Sequence, residues 1–161
     1  MRGFVQTPAT IVDFMVGRLF RGRSPKSSDT VLDPGCGTGA FIEGIIRCCR
    51  STGAEVPQIT GVELESGRAK QAMKAFRPWP QVRICQADFL GLSQDESFDF
   101  IIGNPPYVSI LELSEKEKDA FRASYETARG RFDLYLLFFE RALKSLRRNG
   151  RMVFITPEKF L

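Results

Sequence analysis

Apolar residues fall into two periods along the chain. Short runs of strand length occur at Thr30–Asp33, at Gln58–Glu63, and at 82–85, 98–102 and 152–155. Between them lie longer stretches whose apolar positions recur every three or four residues, the spacing of a helix with one buried face. Thr7-Pro8 reads as a cap and first helical residue ahead of Ile11, Phe14, Met15 and Leu19. The polar stretch 21–29 reads as a loop. Phe41, Ile42, Ile45 and Ile46 mark a second helix, and Ser66 is placed to cap a third that carries Ala69, Ala72, Met73 and Phe76. Ser114 and Glu117 have capping-box spacing for a short helix. A long apolar helix is expected over about 132–146, with Gly150 closing that unit before the fifth strand. Strands alternating with helices predict right-handed βαβ units, hence an α/β fold with a mainly parallel sheet; helices on both faces and the strand order 3-2-1-4-5 are expected of it.

In such a sheet, ligands bind beyond the carboxyl ends of the strands. The unusual residues of this chain lie there. The first strand runs into Asp33-Pro34-Gly35-Cys36-Gly37-Thr38-Gly39, and the second ends at Glu63-Leu64. The third is followed by Ala87-Asp88-Phe89, the fourth by Asn104-Pro105-Pro106-Tyr107. Each alone has an ordinary structural explanation. All four on one edge point to a site.

Gly35, Gly37 and Gly39 allow a tight turn and a close backbone approach to a ligand. The GxGxG spacing is shorter than the GxGxxG that seats a dinucleotide pyrophosphate on a helix N-terminus. With Asp33 in front, it suits a cofactor without phosphates, such as S-adenosylmethionine. Asp33 can meet that molecule's ammonium or act through the neighbouring backbone. Glu63, roughly twenty residues beyond the turn, can accept hydrogen bonds from both ribose hydroxyls. Asp88 can accept from the cofactor's adenine amine. Leu64 and Phe89 can pack on its faces, and core packing explains Phe89 equally well. In the NPPY tetrapeptide, Asn104 Oδ1 and the Pro105 carbonyl offer two acceptors to a planar amine. These draw a conjugated nitrogen such as that of adenine towards a tetrahedral, nucleophilic form. Pro106 stiffens the turn, and Tyr107 can stack on a planar substrate.

The composition agrees with this chemistry. The chain of 161 residues has no histidine, which removes the usual general base and metal ligand, so no metal site is expected. Cys36, Cys48, Cys49 and Cys85 form no CxxC pair and read as reduced thiols of a cytoplasmic protein. The N-terminal residues Met1-Arg2-Gly3-Phe4 carry no signal-peptide pattern, and no apolar run is long enough for a membrane span. A net charge of +4 permits a polyanionic partner. Arg129 and Arg131 precede the long helix on the expected site edge. Arg21, Arg23, Lys26, Arg147, Arg148 and Arg151 belong to the opposite one.

In order and content these motifs resemble the gamma-class N6-adenine DNA methyltransferases of restriction–modification systems. The likeness runs through Gln6-Thr7-Pro8, 31–41 (VLDPGCGTGAF), 61–63, 87–90 (ADFL), 103–107 (GNPPY), Phe132-Asp133-Leu134-Tyr135 and 150–161 (GRMVFITPEKFL). The resemblance implies a Rossmann-like class I S-adenosylmethionine-dependent methyltransferase fold. It implies S-adenosylmethionine as cofactor, S-adenosylhomocysteine as product, and a role for Thr7 at the methionine carboxylate. It also implies methylation of an adenine flipped out of double-stranded DNA into the NPPY pocket. Members of the class continue with a further strand pair and a target-recognition domain. Residues 1–161 are therefore expected to form one catalytic domain (1–29 N-terminal helix and loop, 30–103 cofactor half, 104–161 incomplete substrate half) that lacks the strand pair. Such a piece should bind cofactor yet act negligibly on duplex DNA, and could associate with itself through its fifth strand. RNA, a protein glutamine amide, or a non-catalytic cofactor-binding subunit are the alternative readings.

Overall fold

β-branched and aromatic residues concentrate in the runs that pair as strands, and each long helix presents one apolar stripe. The computed structural model describes residues 6–92 and 97–156. Its elements are α1 (Ala9–Leu19), β1 (Thr30–Asp33), α2 (Ala40–Thr52), β2 (Gln58–Glu63), α3 (Ser66–Phe76), β3 (Val82–Gln86), β4 (Phe98–Gly103), α4 (Glu115–Ser124), α5 (Leu134–Lys144) and β5 (Leu146–Phe154). The sheet has the expected order β3-β2-β1-β4-β5, and every pairing is parallel. Register sets Asp33 beside Gly61 and Glu63 beside Gln86, so the acidic residues emerge together at one edge.

Two apolar cores sandwich the sheet. On one face, residues of α1, α2 and α3 (Val12, Val16, Leu19, Ile42, Ile45, Phe76) meet Val31, Ile59, Phe100 and Ile102. On the other, Leu137, Phe138 and Ala142 of α5 meet Leu32, Val62 and Ile101, together with Phe89, Val108, Ile110 and Tyr125 from the connections. The second face is covered by α5, by Phe121 of α4 and by irregular connecting chain. Tyr125 donates to the Leu90 carbonyl at 2.7 Å, and Glu140 of α5 accepts from the Glu126 and Thr127 amides, which pins that chain down.

Several expectations need correction. Thr7 does not cap α1: Pro8 occupies the cap position, its ψ of 146° being extended although its φ of −60° suits a helix, and Ala9 is the first helical residue. The buried stripe of α1 is Val12, Met15, Val16 and Leu19, whereas Ile11 and Phe14 face outward, with the Arg18 guanidinium over the Phe14 ring. α3 is capped by Glu65, whose carboxylate accepts from Gly67 N and Arg68 N; Ser66 is the first helical residue. α5 is shorter than expected, because Asp133 is extended and Ser145 ends the helix. β5 starts at Leu146, pairs with Phe98, then bulges through Asn149 (φ 65°) before regaining register at Arg151 opposite Phe100. This edge strand therefore carries Arg147, Arg148 and Arg151, the kind of charge that discourages pairing between edges. The residues beyond Thr156 lie outside the described residues, as does the segment Met1-Arg2-Gly3-Phe4.

Candidate active site

The glycine turn is held by backbone bonds to its neighbours. Cys36 N donates to Val62 O at 2.9 Å and Gly39 N to Cys36 O at 2.8 Å, which folds 34–39 over the end of β2. Gly37 (φ 57°) and Gly39 (φ 96°) adopt conformations that L side chains rarely take. At Gly39 the requirement is doubled, because a Cβ there would come within 2.1 Å of the Phe76 ring. Gly39 also opens α2, leaving that helix's first amides facing the same edge.

Three carboxylates converge beside the turn in different states. Glu63 is 5% exposed, and its Oε2 accepts from Gly37 N at 2.9 Å. Its Oε1 accepts from Glu65 N at 2.7 Å and from the Arg68 guanidinium at 2.7 Å. Asp33 is fully buried, and neither of its oxygens has a hydrogen-bond partner among the described residues. Burial, with the nearby Glu63 charge adding to it, pushes its pKa up to about 8 despite the favourable Gly35 amide. Asp88 has one oxygen occupied by Leu90 N at 3.0 Å, capping the turn Phe89–Gly91. Phe89 is buried and packs at 5.3 Å from the Phe138 ring, with the Arg141 guanidinium 5.1 Å over its own ring.

The fourth strand delivers Asn104 to the same place. Asn104 Nδ2 donates to Thr7 Oγ1 at 3.3 Å, a contact between residues 97 apart. That bond orients the amide and sets Oδ1, itself shielded from bulk water, as the acceptor end. Tyr107 donates its hydroxyl to Ile155 O at 3.1 Å, and its ring meets Tyr135 edge-on at 6.2 Å. Past Tyr107 the chain forms an antiparallel bridge, Ser109 to Asp133, so the segment leading into α5 lies directly beside the tetrapeptide.

These elements enclose a cavity of about 420 Å³. Its wall includes Thr7, Pro34, Gly35, Glu63, Leu64, Asp88, Phe89, Asn104 and Pro106. Asp33, Gly37 and Gly39 are buried and, like Pro105 and Tyr107, do not line it. Sequence reasoning missed Arg68, Phe138 and the partial cover from Leu113, Glu117 and Phe121. Only Arg68 carried a usable signal: it lies in the first turn of the helix that follows Glu63. The Asp33 oxygens, unpartnered among the described residues, the glycine-rich turn and a wall mixing carboxylates with apolar surface fit a ligand with a cationic amine, a polyol and an aromatic ring. Among the described residues, no cluster of His, Cys, Asp and Glu has the geometry of a metal site, and no helix is long and apolar enough to cross a membrane.

Comparison with known proteins agrees with this geometry. A protein of Listeria monocytogenes assigned to the class I S-adenosylmethionine-dependent methyltransferases superposes with a TM-score of 0.73 at 19% identity, covering 98% of this chain and 49% of that one. The fold is the Rossmann-like class I methyltransferase fold. The type II methyltransferase M.TthHB8I of Thermus thermophilus is 32% identical over 99% of this chain and 35% of its own length. A tRNA (adenine-N6)-methyltransferase of Glaesserella parasuis is 32% identical over 83% of this chain and 53% of its own length. The chain thus spans about a third to a half of the curated relatives it matches here. The model of the Eco57I restriction-modification methylase family matches residues 50–161, and the chain belongs to that family.

Proposed function

We propose that this chain is the cofactor-binding and catalytic part of a gamma-class DNA adenine-N6 methyltransferase of a restriction–modification system, using S-adenosylmethionine in the cytoplasm. The carrying observation is the Asn104 amide, oriented by Thr7 on the wall of the cavity that also holds Glu63, Asp88 and Phe89. The activated methyl group of S-adenosylmethionine is the reactant that the cofactor supplies. Glu63 binds its ribose, Asp88 its adenine amine, and Leu64 and Phe89 pack on the adenine. Asp33 and Pro34, with the turn Gly35, Gly37 and Gly39, hold the amino-acid end, with Thr7 near its carboxylate. Asn104 Oδ1 and the Pro105 carbonyl accept the two hydrogens of the target adenine amine, so its lone pair turns towards the methyl. Methyl transfer to that nitrogen would leave it with a surplus proton, which can pass to water. Pro106 holds the turn, and Tyr107, tethered to Ile155, stands at its far side. Positioning supplies most of the rate, which accords with a chain that has no histidine.

Membership of a restriction-modification methylase family favours DNA as the substrate, and an RNA substrate has specific support in the relative named as a tRNA (adenine-N6)-methyltransferase. Strand β5 is the sheet edge next to the site and carries its charges up to Arg151, so a further strand could join only along 152–154. Flipping a paired base costs a few kcal/mol, so the test begins where that cost vanishes. Single-stranded DNA and RNA oligonucleotides are incubated with the chain and labelled cofactor, and nucleosides are separated by mass spectrometry. N6-methyladenine from DNA is the expected product, with duplex DNA a far poorer substrate. Preferential methylation of RNA would transfer the assignment to the RNA class. Cofactor binding without any methyladenine would leave a binding module.

A further inference from the structure

Glu63 has four lone-pair positions, and three are taken. Oε1 holds Glu65 N and the Arg68 guanidinium, and Oε2 holds Gly37 N. One acceptor position remains where a ribose offers two hydroxyls. Arg68 lines the same cavity, with its side chain 14% exposed, so its guanidinium stands where a ligand on Glu63 must go. A second carboxylate lies within reach: Glu65 Oε2, at the rim, is 3.9 Å from the other arm of the same guanidinium. Each Glu65 oxygen accepts one helix-cap amide, leaving lone pairs for a cation.

We propose that Arg68 is a two-position residue that occupies the ribose seat of the empty cavity and moves from Glu63 to Glu65 when the ribose binds. This rests on the cavity being the S-adenosylmethionine seat. In the empty site, the guanidinium keeps the buried Glu63 charge compensated, which a lone buried carboxylate requires. In the filled site, it yields one Oε1 position to a ribose hydroxyl and keeps an ion pair at the rim. Arg68 is thus a positioning residue that sets cofactor affinity by competition.

The test measures S-adenosylhomocysteine affinity by calorimetry for the wild-type chain, Arg68→Met and Glu65→Gln, with 2′-deoxy and 3′-deoxy analogues of the ligand alongside. Arg68→Met keeps an apolar stem and removes the competitor. Its affinity should rise by about tenfold, equivalent to about 1.4 kcal/mol. That gain should shrink for whichever analogue lacks the hydroxyl taken up by Oε1. Glu65→Gln should weaken binding about threefold, because the displaced guanidinium loses its second partner, and this arm stands even if Arg68→Met folds poorly. A general structural role would move all three ligands equally. Weaker binding in Arg68→Met, or a crystal structure with S-adenosylhomocysteine in which Arg68 still holds Glu63 Oε1, would overturn the proposal. Absence of binding to the wild-type chain would instead remove the cofactor reading on which it stands.

Discussion

The two edges of the sheet treat polar groups in opposite ways. At the amino edge, Asp99 Oδ2 accepts from Thr30 N, Thr30 Oγ1 and Arg147, while Thr30 Oγ1 receives Asp99 N in return. Asp29 holds Arg23 and the Lys26 amide, and Arg151 donates to the Arg21 carbonyl. These contacts saturate the edge and fasten β5 and the 21–29 loop to the sheet. At the carboxyl edge, Asp33 is buried with both oxygens unpartnered among the described residues, and Glu63 keeps one lone pair open beside an exchangeable cation. The same residue types serve stability at one end and remain available to a ligand at the other. Satisfaction of charge, and not its amount, tells the working edge from the structural one.

The largest effect that would sharpen this contrast is expected at Asn104. Asn104→Ala removes one of the two acceptors, so methyl transfer should fall by about 10²–10³-fold, the usual consequence of losing one well-placed dipole. Affinity for S-adenosylhomocysteine should stay within about twofold, since no cofactor contact is assigned to Asn104. A matching loss of affinity would show that the two halves of the site are not separable.

Asp33 comes next. In the folded chain its carboxyl keeps a proton up to about pH 8, whereas its ordinary value is 3.8. Between these values the folded state binds more protons than the unfolded state, so this group's contribution to stability declines as pH rises from about 4 to about 8. Asp33→Asn should flatten that decline and raise the melting temperature of the ligand-free chain at pH 8 by at least about 3 °C. If the ligand's ammonium meets Asp33, binding at pH 7 should release close to one proton, measurable by calorimetry in buffers of different ionisation enthalpy. A heat independent of buffer would place the ammonium elsewhere.

Asp99 tests the amino edge from the other side. Asp99→Ala strands Thr30 and Arg147 and should cost about 1–3 kcal/mol in denaturant unfolding. Cofactor affinity at neutral pH should be unchanged once the variant is fully folded. The smallest effect concerns nucleic acid. Arg129 and Arg131 are exposed, next to the Ser109–Asp133 bridge, with no carboxylate partner among the described residues. Arg147 and Arg151 are already engaged. Replacing Arg129 and Arg131 with alanine should lower the salt slope of DNA binding by about two, at about one per phosphate contact. An equal change from Arg147 and Arg148 would assign the DNA to the wrong edge.

Much of this was readable without coordinates. The parallel sheet follows from alternation and handedness, and the bounds of β1 and β2 follow from their β-branched runs. A glycine turn, an acid, a second acid and a proline turn each followed a strand, which brought them to one edge. Contacts between side chains from separate elements were not readable. Periodicity cannot show that Thr7 orients Asn104, that Arg68 shares Glu63, or that Tyr107 turns to Ile155. It also misassigned Phe14 to the buried stripe, because Val12 and Val16 fit the same period one position away and have the sheet above them.

The bridge between Ser109 and Asp133 has a consequence for how such a protein diversifies. Ile110 N reaches Phe132 O, and Leu134 N reaches Val108 O, so the excursion between them leaves and re-enters the body through neighbouring positions. An insert whose ends are already joined can be lengthened at slight entropic cost, about 0.6 kcal/mol for each doubling. The sheet need not register the change. Yet Leu113, Glu117 and Phe121 of that insert form part of the cavity wall. The exchangeable part is therefore α4: another sequence there alters what the cavity admits, while Ile110, Leu113 and Tyr125 stay in the core under the sheet and the Tyr125 hydroxyl keeps its hold on the turn after Asp88.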